Sequence, residues 1–197
     1  MKEKIRNVCD LLLGLSFILS VSIGYLGNII SLYYLSEYCF ISGMVVGIFL
    51  IISFFYRLFK KKSLPTFLYF DCMINIIVIF FATIAIGLNL EGAFWFIHII
   101  NPVLLFFYWC IFCNHSSNCR NLTIMTDIAF PVLYFIYTFV MWKTISIKPF
   151  PVNLIFQNTL LQTILSAGFI LLLFIILGYV FHFINKIIYK KIQNKNT

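Results

Sequence analysis

Six long apolar runs leave this chain little choice of fold. They cover about residues 11–30, 39–56, 67–88, 93–113, 124–142 and 160–184. About 18 apolar residues in a row suffice to cross the hydrocarbon core of a bilayer as a helix. Inside lipid the backbone N–H and C=O groups have no water to bond, so only helices and closed barrels span it. The runs are continuous, whereas a barrel strand alternates over segments of about ten residues. The expectation is therefore an all-α polytopic membrane protein with six transmembrane helices in a single domain, 1–197. Composition agrees, with 62% hydrophobic and 10% charged residues against roughly half and a quarter in soluble domains. No internal repeat is visible, and the only low-complexity stretch is the polar tail Gln193–Thr197.

The charge pattern supplies an orientation. The net charge is +8. It sits at the ends of the apolar runs, and no nucleic-acid-binding motif accompanies it, so it reads as topogenic charge. With the N-terminus inside, all but Lys143 and Lys148 of the 14 Lys and Arg residues fall on the inner side. Both termini are then cytoplasmic, and Trp95, Trp142 and Tyr38 lie near the outer interface. The first run is too long for a signal-peptide core and lacks a small-residue cleavage site, so it reads as a retained span. The localisation expected is the cell membrane, multi-pass, with membrane lipids as partners. Nothing in the sequence sets the oligomeric state.

The stretch Phe94-Trp-Phe-Ile-His-Ile-Ile-Asn-Pro102 stands out next. An ionisable residue at membrane depth is costly and is a functional candidate by default, which selects His98. Of the six cysteines, Cys9, Cys72, Cys110, Cys113 and Cys119 fall in the inner half, and only Cys39 lies near the outer end. No disulfide is expected, because the inner thiols face a reducing compartment and Cys39 lacks a partner. Cys39 and His98 each lie within about one turn of the outer end of their helices. If the second and fourth spans are neighbours, thiol and imidazole can meet as nucleophile and base. Asn101, at i+3 from His98, shares its face and is placed to orient the ring or donate to an oxyanion. Glu37, at i−2 from Cys39, points elsewhere on helical spacing.

Four segments carry a resemblance. They are Tyr34-Leu-Ser-Glu-Tyr-Cys-Phe-Ile-Ser-Gly43, Ile97-His-Ile-Ile-Asn-Pro102 with Tyr108-Trp109, Phe130-Pro-Val-Leu-Tyr-Phe-Ile-Tyr-Thr138, and Lys148-Pro-Phe-Pro-Val-Asn153. Together they resemble a superfamily of six-span membrane proteins. It includes the androgen-induced-gene family of threonine lipid hydrolases, the bacterial Pr-six-Pr type, and the cysteine-using transmembrane acyltransferases of glycerophospholipids. The resemblance implies that Cys39 stands where the hydrolases carry their nucleophilic Thr, and His98 where they carry its catalytic partner. Gly43 replaces the Asn of their Ser-Asn pair, and Ser42 matches the Ser. The acyltransferase branch is similar in pairing Cys with His.

The remaining polar groups have simpler readings. Tyr134, Tyr137 and Gln162 lie where they can line an outer cavity, and with Ser42 and Asn101 they are the candidate substrate-contacting residues. Cys110, Cys113, His115 and Cys119 have the residue types of a zinc site, but they read as apolar cysteines and a solvated loop, so no metal or other cofactor is expected. Asp71, Asn75 and Asp127 are expected to pair with Arg57, the lysines or Arg120 at the inner interface. There is no Gly-rich phosphate loop, no His-Glu-x-x-His and no Gly-x-Ser-x-Gly. Together with the thiol–imidazole pair, the resemblance implies a lipid acyl hydrolase or acyltransferase using Cys39 and His98. The alternatives are a small transporter or channel, or a non-catalytic membrane protein of the same fold.

Overall fold

The computed structural model describes residues 2–27, 36–113, 126–147 and 160–193. Six helices are long and apolar enough to cross a membrane, and no strand occurs among the described residues. They are α1 (Lys2–Leu26), α2 (Tyr38–Lys60), α3 (Thr66–Ile86), α4 (Ala93–Phe112), α5 (Ala129–Ile145) and α6 (Leu160–Gln193). A 3-10 turn, Thr126–Ile128, leads into α5. This is the build of a multi-pass integral membrane protein. His115, Cys119, Arg120 and the segment 148–153 lie outside the described residues.

The helix ends follow local chemistry. Lys61 (φ 52°) closes α2 in the left-handed conformation, its N–H bonded to the Arg57 carbonyl. Arg57 and Lys60 in that last turn complement the negative end of the helix dipole. Pro65 precedes α3, and Gly87 ends it at φ 66°, where a residue without Cβ fits at least cost. The large apolar side chains left exposed on α5 and α6, such as Leu133, Ile136, Phe169 and Leu172, are what a lipid-facing surface requires.

α1 begins far earlier than the apolar run suggests, at Lys2 instead of near Leu11. The reason is a buried polar network at the basic end of the bundle. Asp10 is fully buried, more than two turns into α1, and pairs with Arg57 of α2 at 3.0 Å. Asp10 also accepts from Ser53 (2.8 Å) and from the Tyr108 hydroxyl of α4. Arg57 donates to Asn7 (2.7 Å) and to the Tyr69 hydroxyl of α3 (2.9 Å). Arg6 donates to Tyr108 (3.2 Å) and lies over the Tyr69 ring at 5.0 Å. One ion pair thus ties four helices, and its bonds reward a helical chain down to residue 2. It also corrects an expectation. Arg57 is committed to Asp10, not to Asp71 or Asp127. Asp71 instead accepts from Thr126 (2.9 Å) and lies against Asp127, while Asn75 donates to the Asp71 backbone carbonyl.

Close approach of α1 and α2 completes the frame. A Cβ on Gly47 would come within 2.8 Å of Ile18 and 3.1 Å of the Gly14 carbonyl oxygen. Gly43 and Gly47 form a small-xxx-small pair, the usual device for bringing membrane helices together. The core between α2, α3 and α4 is filled by Leu50, Phe70, Ile74 and Trp109, all fully buried.

Two outcomes follow. Asp10→Ala or Arg57→Ala alone strands a buried charge and lowers stability by about 3–5 kcal/mol in mixed-micelle denaturation, and removing both partners recovers part of the loss. Gly47→Leu overfills the α1–α2 contact, costs about 1–3 kcal/mol or more, and lowers the thermal midpoint in detergent.

Candidate functional site

At the end opposite the basic network, α1, α2, α3 and α4 enclose a cavity of about 870 Å³. Ile23 and Gly24 of α1, with Gly27 just beyond its end, form one wall, and Val78, Ile79, Ala82, Thr83 and Ile86 of α3 another. The connection from α3 to α4 adds Asn89 and Glu91. Glu37, Tyr38 and Cys39 enter from the start of α2, and Phe94 and His98 from α4. This volume lies within the range of small-molecule pockets.

The second and fourth spans are in contact here. Phe40 of α2 packs edge-on against Phe94 of α4, with ring centroids 6.0 Å apart. Cys39 and His98 both line the same cavity.

His98 sits within a π-helical turn, Phe96–Ile100. Pro102, four residues on, has no N–H to give the His98 carbonyl, and its ring crowds that carbonyl. One wider turn relieves both faults, and the Asn101 N–H reaches back to the Phe96 carbonyl. The imidazole stacks on Phe94 at 5.7 Å and 19°. Its Nδ1 lies 3.0 Å from the Phe94 carbonyl oxygen. A carbonyl only accepts, so Nδ1 carries the proton and Nε2 the lone pair. Nε2 has no hydrogen-bond partner among the described residues and is left open to the cavity.

Cys39 lies in the first turn of α2. Its thiol donates to Glu37 Oε2 at 3.7 Å, and the thiol and imidazole are not hydrogen-bonded to one another. Helical spacing pointed Glu37 away from Cys39, but Glu37 precedes the helix. It occupies the N-cap position in extended conformation (φ −68°, ψ 145°) without capping the backbone, which frees the carboxylate to turn toward the thiol. Burial pushes the Glu37 carboxyl up from its ordinary 4.5 to about 7, against the opposing pull of the Cys39 hydrogen bond.

The five substrate-contacting candidates lie elsewhere. Asn101 is fully buried against α1, accepting from Ser16 (2.6 Å) and donating to Ser20 (3.0 Å), so it staples two helices and does not steer the imidazole. Ser42 donates to the Tyr38 carbonyl (2.6 Å). The Tyr134 hydroxyl donates to the Ser36 carbonyl (2.9 Å) and so holds the approach to α2. Tyr137 and Gln162 are exposed on α5 and α6, away from the cavity lining. Helical spacing points Glu37 away from Cys39, and neither Glu91 nor the π turn stands out in the sequence. The spacing of Pro102 four residues after His98 was the available signal for the turn.

Compared with family models, with curated proteins and with solved structures, the chain matches none.

The raised Glu37 carboxyl has a definite pH signature. The folded protein holds this proton more tightly than the unfolded chain, so the Glu37 contribution to stability is full below about 4.5 and is lost as pH rises toward about 7. Denaturation of wild type and Glu37→Gln across this window should show the wild type losing stability relative to the variant. Equal pH dependence in the two proteins would contradict the burial of this carboxyl.

Proposed function

We propose that this protein draws an amphiphile of the bilayer into the cavity between α1, α2, α3 and α4, and hydrolyses or transfers its acyl group. Cys39 is the nucleophile and His98 the base. The observation that carries this reading is that a thiol and an imidazole with an open Nε2 line one largely apolar cavity. The likeness of the Cys39 and His98 segments to the six-span lipid hydrolases and acyltransferases points the same way. The basic end faces the cytoplasm in this reading, and the cavity opens toward the outer leaflet of the cell membrane.

The chemistry balances with these groups alone. The sulfur of Cys39 bonds to the acyl carbon while His98 Nε2 takes the thiol proton. The open N–H groups of the first turn of α2 favour the negative charge that develops on sulfur. The bond from the acyl carbon to the departing alcohol oxygen breaks, and the imidazolium returns the proton to that oxygen. Water or a second alcohol then attacks the thioester carbon and gives its proton to His98 Nε2; the carbon–sulfur bond breaks, the acid or new ester leaves, and the imidazolium returns the proton to the Cys39 sulfur. In the resting protein the thiol donates to Glu37, so the reaction requires the Cys39 thiol to leave Glu37 for His98.

That resting bond favours a second reading, a lipid-binding protein without catalysis. An α-bromoacyl lipid analogue separates the two. In a catalytic protein it alkylates Cys39 much faster than it alkylates a free thiol in solution, and His98→Ala slows this about 100-fold. Labelling at the free-thiol rate, or unchanged by His98→Ala, leaves only binding.

A further inference from the structure

We propose that the cavity selects an amphiphile with a cationic head, held by the Glu37 carboxylate, with its chain along the apolar wall of α3. This rests on the reading of the cavity as an amphiphile site, but not on turnover. Three observations carry it. First, the cavity is acidic. Glu37 and Glu91 line it, and no Lys or Arg does among the described residues. The other titratable groups on its wall are Tyr38, Cys39 and His98; α1 and α3 contribute none.

Second, Glu37 has no counter-ion among the described residues. It is half-buried at the head of α2, and its one bond among the described residues is to the Cys39 thiol. A carboxylate held against an apolar wall loses solvation that a weak S–H donor does not replace. An ammonium group from a ligand replaces it with a charge-assisted contact. Its buried carboxyl, with a proton affinity near neutrality, is in keeping with a site that waits for a cation. A phosphate or sulfate head would instead meet two carboxylates and, among the described residues, no Lys or Arg.

Third, the geometry fixes which part of the ligand reaches the thiol. Glu37 Oε2 is 3.7 Å from the Cys39 sulfur. A cation on Glu37 therefore brings the bond nearest the head to Cys39 and leaves the chain to Val78, Ile79 and Ile86. The substrate class is an acyl ester of an amino alcohol or quaternary ammonium alcohol, attacked at the head-proximal carbonyl.

The test uses the full chain in maltoside micelles and tritiated dodecyltrimethylammonium. Wild type should bind it saturably, one molecule per chain. Unlabelled dodecyltrimethylammonium should displace it at least about tenfold better than dodecyl sulfate, and Glu37→Gln should weaken binding by a similar factor. Equal displacement by the sulfate, equal binding by Glu37→Gln, or no saturable binding overturns the proposal. If Glu37→Gln does not fold, the head-group comparison on wild type decides alone. Loss of α-bromoacyl labelling with cation binding intact would remove the catalytic reading and leave this one standing. The reverse pattern would do the opposite.

Discussion

The buried pair of Asp10 and Arg57 is the interaction on which the rest of the bundle depends. In a membrane there is little hydrophobic drive between helices, because lipid tails are as apolar as the side chains. Order must come from close packing and from polar groups that have nowhere else to go. Asp10 and Arg57 are such groups, almost wholly shielded from solvent. Through Ser53, Tyr69, Tyr108 and Arg6 they join α1, α2, α3 and α4 at one end. Those same four helices form the cavity at the other end. The network therefore fixes the register and spacing of the cavity walls from a distance, with rigid helices as the connection.

The cavity exists because the opposite end is built from small residues. Gly24, Gly27, Ala82, Gly92 and Ala93 all line it. Side chains of ordinary size there would have closed it, since protein interiors pack to near crystalline density. The contrast with the middle of the bundle is direct. There the fully buried Phe70 and Trp109 pack with tilted rings, centroids 5.5 Å apart.

The spans were legible in the sequence, and the pairings were not. Length and hydropathy are local properties, so six runs announce six helices, with most ends off by a few residues and the start of α1 and the end of α6 each off by nine. The choice between Asp10 and Asp71 as the partner of Arg57 depends on which helices pack together, and that information is distributed over Gly14, Gly43 and Gly47. Asp10 looked like the edge of a span because polar residues usually end an apolar run; here it is buried within a longer helix. The placing of Cys39 and His98 at one depth followed from orientation and helix length. Glu37 was misjudged for a physical reason. Helical spacing governs residues inside a helix, and Glu37 is the extended residue before one, where direction is set by the turn.

Which polar groups remain for a ligand follows from where the others are bound. Near the cavity, Asn101 is satisfied by Ser16 and Ser20 of α1. Tyr38 donates to Asn75, and Tyr134 donates to Ser36. Thr83 donates back to the Ile79 carbonyl. His98 Nδ1 is bound to Phe94. Each of these residues serves the fold, because a polar group in lipid must be paired to be tolerated. Among the described residues, the groups on the buried wall that the fold has not fully used are the Nε2 of His98 and the Glu37 carboxylate, whose one hydrogen bond is to a thiol. One is a base and the other an anion, and both line a space with apolar sides. A ligand that satisfies both must present a proton to transfer or a cation, and must carry apolar length. That requirement comes from the hydrogen-bond inventory of the bundle itself.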